Sequence, residues 1–181
     1  MKVFARPLLL LSIAATGLLA NTGCFLISAD FEGDVNVLVD FLEQEDNTYS
    51  GTQTVDPNDY EEYRDNRDRI KDGELLGIDV EFVDVPPEND ATYGVGRIDI
   101  KRAGEPDENY IETVGEWSGV NIVRGNSFPV ELTPVAKGQV DELLFGSNPG
   151  ALDLRIVGET DTATIAFTAQ ITIRLRFTAG I

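Results

Sequence analysis

The sequence predicts a mainly β protein: an antiparallel, immunoglobulin-like β-sandwich of about seven to nine strands with one or two short helices. Three observations predict it. Apolar and polar residues alternate with period two. This is plainest where Ile165, Phe167, Ala169, Ile171, Ile173, Leu175 and Phe177 interleave with Ala166, Thr168, Gln170, Thr172, Arg174 and Arg176. Turn residues punctuate such stretches, at Pro86-Pro87, Gly104, Gly125-Asn126 and Gly158. Helix signals are confined to two windows.

In chain order, Val35, Val37, Val39 and Phe41 alternate with Asp34, Asn36, Leu38 and Asp40, predicting a first strand that begins near Phe31. Residues 48–55 are rich in threonine and predict a second strand at a sheet edge. Asp56-Pro57-Asn58-Asp59 then offers capping side chains and a first-turn proline for a short helix over 60–71. Tyr60, Tyr63 and Ile70 form its inner stripe, with Glu61, Glu62, Arg64, Asp65, Arg67 and Asp68 facing water. Strands follow at 78–83 and 91–102, the latter carrying Gly94 and Gly96, which imply a bulge or a close backbone approach. Shorter extended pieces are expected at 110–114, 120–123 and 128–132. Thr133-Pro134 starts the second helix, with Val135, Val140, Leu143 and Leu144 at helical spacing and an end near 146–150. Closing strands at 152–157 and 163–177 flank a turn at 158–161. A transmembrane barrel would need aromatic girdles at both interfaces, which an aromatic content of 8% does not supply.

The chain begins with Lys2 and Arg6 ahead of an apolar run over 8–20, too short for a comfortable permanent span and shaped like a secretory signal. Leu18, third before a cut after Ala20, disfavours ordinary cleavage there. The stretch ending in Thr22-Gly23-Cys24, at the only cysteine of the chain, resembles the lipobox of bacterial lipoproteins. Gly23 and Cys24 match that pattern, whereas Asn21 stands where the family usually has Leu. The resemblance implies a signal peptide over 1–23, lipid attachment at Cys24, a short tether over 24–30 and a single domain over 31–181. With Phe25 after the cysteine in place of an aspartate, it implies the outer membrane of a bacterial envelope. Cys24→Ser is then expected to lose incorporated fatty acid and leave the membrane fraction. Unprocessed, Cys24 is a free thiol or the end of an uncleaved anchor. Asp56-Pro57, the charged run 63–71 and the strand 77–82 are similar, over about thirty residues, to uncharacterised β-sandwich lipoproteins of bacterial envelopes, which carry no known activity.

Cleavage before Cys24 leaves 158 of the 181 residues, the size of one domain, and takes the formal charge from −18 to −20. A field of that sign repels phosphates, so nucleic acid is excluded as a partner. A lone cysteine forms no internal disulfide. The absence of histidine removes the usual general base, the commonest zinc ligand and the Ser-His-Asp arrangement. Neither a catalytic residue nor a cofactor is assigned. The residues point to a lipid-anchored envelope protein with a non-catalytic structural or binding role, its partners the membrane, through the lipid, and an envelope protein or glycan. The alternative is a calcium-dependent carbohydrate-binding or adhesion module using loop carboxylates such as Asp56, Asp59, Glu159 and Asp161. A hydrolase working through paired carboxylates is third. Trp117, set between Gly115 and Gly119, either projects from a loop or lies in the core, and its size favours the core.

Overall fold

The computed structural model describes residues 28–43, 46–147 and 149–180. The leader, Asn21, Gly23 and Cys24 lie outside the described residues. Nine strands form among those described: β1 Ser28–Glu43, β2 Thr48–Val55, β3 Ile70–Asp84, β4 Tyr93–Arg102, β5 Ile111–Asn121, β6 Ser127–Pro129, β7 Glu131–Leu132, β8 Leu152–Thr160 and β9 Ile165–Gly180. Two helices, α1 Glu61–Asn66 and α2 Pro134–Phe145, interrupt them. One sheet has the order β1-β9-β3-β6 and the other β2-β8-β4-β5-β7, with every pairing antiparallel.

The predicted antiparallel sandwich is present, with a connectivity finer than periodicity can reach. Successive strands cross from one sheet to the other, so that β1 and β2, β3 and β4, and β8 and β9 each split between the two sheets. That order is the double Greek key of a jelly roll rather than an immunoglobulin arrangement. The first and last strands lie side by side, from Ser28 opposite Gly180 to Glu43 opposite Ile165. Strand β1 therefore starts three residues earlier than Phe31, and residues 28–30 of the expected tether already pair with β9.

The alternating residues of both sheets meet in one apolar core. Phe167 sits between Phe41, Tyr49 and Phe82, with ring centroids 5.0, 5.5 and 5.2 Å away. Burial pushes the Tyr49 hydroxyl far above its usual range, and it donates to the Val95 carbonyl oxygen at 2.9 Å. Gly158 lies directly under that ring. A Cβ there would stand 2.2 Å from Tyr49 Cζ and 2.3 Å from the Val95 carbonyl oxygen. Strand β8 runs through the expected turn to Thr160 because Gly158 and Glu159 continue its pairing with Tyr49 and Thr48 on β2 and with Gly96 and Val95 on β4. Gly158→Ala is expected to cost about 2–3 kcal/mol in chemical denaturation, because a backbone atom cannot move aside as a side chain would. A loss below about 0.5 kcal/mol would contradict that packing.

Three further expectations are corrected. The helix predicted over 60–71 is a 3₁₀ turn at Pro57–Asp59, then α1, then a second 3₁₀ turn at Arg67–Arg69. Ile70 belongs to β3, where it pairs with Ala179 rather than completing a helical stripe. The pieces expected at 110–114 and 120–123 are one strand, β5, whose extra residues are absorbed by register shifts opposite Gly94/Gly96 and Ile98/Ile100. In α2, Val135 is 76% exposed and the buried face is Ala136, Val140 and Leu144, four residues apart. Thr133 Oγ1 accepts from the Ala136 N–H at 3.2 Å, as its capping position predicts. Asp141 Oδ1 accepts from the Leu75 N–H at 2.5 Å, beside the irregularity between Leu75 and Gly77, and so satisfies a donor at the point where the ladder shifts. Tyr63 is buried and donates to the Leu144 carbonyl oxygen at 3.2 Å, anchoring α1 to α2.

Candidate binding site

The loop carboxylates singled out as calcium ligands are not brought together. Val55 stands opposite Leu152 and Thr48 opposite Glu159, so Asp56 and Asp59 lie at one end of the β2/β8 ladder and Glu159 and Asp161 at the other. Seven residue steps separate those ends by roughly 23 Å. Each end uses its carboxylates locally. Asp56 Oδ1 accepts from the N–H of Asn58 at 2.9 Å. Asp161 accepts from the N–H groups of Thr92 and Tyr93 at 2.8 and 3.1 Å and from the Thr92 hydroxyl. Among the described residues no group of three or more His, Cys, Asp or Glu side chains is placed to hold a metal.

The hydrogen bonds from Thr92 and Tyr93 hold the Asp161 carboxyl at about 2, below its usual 3.8. A depressed folded-state value stabilises the fold above the unfolded value, and the stabilisation is lost as pH falls through the folded one. Asp161→Ala is therefore expected to cost about 1 kcal/mol at neutral pH, the carboxyl being exposed and screened. The deficit should close between about pH 4 and pH 2, read as converging melting curves of the two proteins.

On the outer face of the second sheet, the sequence alternation leaves Arg97, Asp99, Lys101 and Arg155 pointing outward, positions that ordinarily face water. Here residues 103–113 cover Asp99, Lys101 and Arg155, while the Arg97 side chain remains 42% exposed. Asp99 is 0% exposed and accepts from Arg97 Nε at 3.1 Å, from Arg155 Nε and Nη2 at 3.0 and 2.8 Å, and from the Thr113 N–H at 2.9 Å. Thr113 has φ 54, a left-handed conformation unusual for a β-branched residue, which turns its N–H onto the carboxylate. Lys101 Nζ donates to the Glu105 carbonyl oxygen at 2.6 Å and to Asp107 at 2.8 Å. That hydrogen bond raises the Lys101 ammonium and lowers the Asp107 carboxyl from their ordinary values. The Tyr110 ring lies over Lys101 and Arg155, at 4.7 and 4.0 Å. These charges are directed at one another, so the cluster clamps the covering segment to the sheet. Trp117 is 8% exposed, packed over Gly96 and 5.8 Å from Phe128, and so lies in the core rather than projecting.

An open feature lies at the sandwich corner where β1 and β2, each outermost in its sheet among the described residues, approach each other. A groove of about 180 Å³ runs between them, with Val37 and Val55 inward, Asn36 and Leu38 on one wall, Gln53 and Thr54 on the other, and Asp56, Asp59 and Tyr60 at one end. Leu38 is 53% exposed beside it. Burial and then the neighbouring Asp59 push the Tyr60 hydroxyl above its usual range. The two strands approach this closely because Gly51 has no side chain, and a Cβ there would meet Val39 Cγ1 at 2.5 Å. Sequence periodicity places Leu38 and Thr54 on strands but does not bring them together. The threonine-rich composition of 48–55 was the one sign of an edge.

No family model matches this chain, and no curated protein matches it. Among solved structures, the chain is similar to that of Desmodium yellow mottle tymovirus, at a TM-score of 0.44 and 9% identity, covering 100% of this chain and 97% of that one. A semi-empty virus-like particle of the giant freshwater prawn (Macrobrachium rosenbergii) nodavirus matches at 0.45 and 14%, covering 86% of this chain and 96% of that one. Mud crab tombus-like virus matches at 0.44 and 14%, covering 100% and 92%. The expectation of a lipid-anchored protein of a bacterial outer membrane, partnered by the membrane, an envelope protein or a glycan, is corrected by this finding. The structures matched are viral, and the strand pattern that had suggested an envelope domain carries no envelope specificity. At these identities and scores the likeness concerns fold alone and gives this chain no role of its own.

Proposed function

We propose that this chain is a non-catalytic binding module whose ligand surface is the groove between β1 and β2. The observation that carries the proposal is the juxtaposition of two outermost strands, a half-exposed leucine and a carboxylate-lined end in one concavity. The large charged cluster around Asp99 supports the same reading by contrast, since its donors and acceptors are spent on each other and on the segment that covers them.

Photo-crosslinking residues placed singly at Leu38 and Gln53 test it in intact cells. Discrete adducts are expected from both positions and none from Val135 on α2, which is more exposed than Leu38. Absence of adducts at Leu38 and Gln53, or an identical pattern from Val135, overturns the assignment.

A further inference from the structure

We infer that the occupant of this groove is an extended polypeptide segment with basic residues near its ends, which pairs with the free edge of β2. The inference rests on the groove reading and adds the mode of binding and the chemistry of the partner.

Among the described residues, β2 is the last strand of its sheet. The Thr160 N–H donates to the Asn47 carbonyl oxygen at 2.8 Å, which makes Asn47 and Thr160 a hydrogen-bonded pair. In an antiparallel ladder such pairs alternate, so Tyr49, Gly51, Gln53 and Val55 turn their backbone groups to β8. The N–H and C=O groups of Ser50, Thr52 and Thr54 consequently face away from it. Thr48 obeys the same parity, its N–H reaching Asp46 Oδ1 at 3.2 Å. Exposed edges are ordinarily blunted by a charge, a proline or a bulge, and residues 48–55 contain neither charge nor proline and pair with β8 without a register shift. Such an edge accepts an added strand.

Charge selects the occupant. Asp46 and Asp56 bracket the uncharged strand, and Asp59 lines the groove beyond it. A second copy pairing antiparallel about Gly51 would set Asp46 against Asp56 twice, between chains that each carry a formal −18. A segment with lysine or arginine opposite each aspartate, about ten residues apart, meets two opposite charges instead. The exposed Leu38 wall adds an apolar contact beside the paired strand.

The test uses the full chain and a synthetic peptide of about eleven residues, alternating threonine and valine with lysine at both ends, titrated by fluorescence anisotropy. The same peptide with glutamate at both ends is expected to bind at least about tenfold more weakly, with the difference shrinking as salt rises. Thr52→Pro removes a backbone donor that β8 does not use, and is expected to weaken the lysine-ended peptide about tenfold or more with little change in melting temperature. N-methylating alternate peptide amides tests the same hydrogen bonds without altering the protein, should that variant fold poorly. Equal binding of the two peptides, or binding indifferent to both Thr52→Pro and N-methylation, overturns the inference. A dimer in sedimentation that Thr52→Pro dissolves overturns it in favour of a second copy. If the peptide fails while adducts at Leu38 and Gln53 persist, strand pairing falls and the groove reading stands.

Discussion

Asp99→Ala is expected to lower stability by about 3 kcal/mol or more, because it removes one partner of a covered ion cluster and leaves the others behind. The carboxylate takes hydrogen bonds from Arg97, Arg155 and the Thr113 N–H, and it is fully buried itself. Without it, two guanidinium groups lose the carboxylate they share, that of Arg155 beneath residues 103–113, and Thr113 keeps a strained backbone with no carboxylate to hold it. Arg97 and Arg155 retain some access to water, which keeps the loss at the lower end of what broken buried pairs cost. Asp99→Asn keeps one acceptor and should lose clearly less. Urea denaturation of the three proteins checks the ordering, and equal stability of Asp99→Ala and the parent would refute the clamp. Cleavage by a protease within 103–110 should also accelerate in Asp99→Ala, since that segment is held by the same cluster through Lys101 and Tyr110.

Phe167→Ala is expected to cost about 4 kcal/mol, among the largest effects of any single truncation in this core. Phe167 is 3% exposed on an interior strand of its four-stranded sheet, and three other rings pack against it from β1, β2 and β3. These rings come from both sheets, so no one strand can shift to fill the void. A measured loss below about 1.5 kcal/mol would mean that the interior collapses around the site and that the four rings are not the packing centre of the sandwich. Tyr63→Phe gives a milder comparison at the other end. It removes the hydroxyl that donates to the Leu144 carbonyl oxygen and should cost about 1 kcal/mol.

How far the fold could be read in advance follows from the range of each signal. The second strand appears at residues 48–55 as expected, and β9 carries the longest alternation in the chain, because side-chain direction in a strand is a local property with period two. Thr133 and Pro134 start α2 where capping chemistry placed them. The first helical window failed at Ile70 because its last residues are drawn into pairing with Ala179, a contact more than a hundred positions away in sequence. Val135 failed because several rotations of a short helix satisfy the same spacing, and only the sheet decides which face is covered. The break expected within β5 failed because bulges absorb residues that a period-two reading counts as an interruption.

The candidate site was less accessible still. Asp99 reads as one more outward acid in an acidic chain, and its burial depends on residues 103–113 folding back over the strand. The groove joins Leu38 to Thr54, residues on two strands that belong to different sheets.

The sequence by itself determined that this chain forms an acidic, histidine-free antiparallel sandwich, where most of its strands lie and which residues point inward. Composition, alternation and turn chemistry act between near neighbours and need no partner to be expressed. Only the tertiary structure decided the jelly-roll order, the buried clamp at Asp99 and the corner where β1 and β2 leave a groove. These depend on which surfaces meet across the sandwich, and the free energy of that meeting is shared among residues that no local pattern connects.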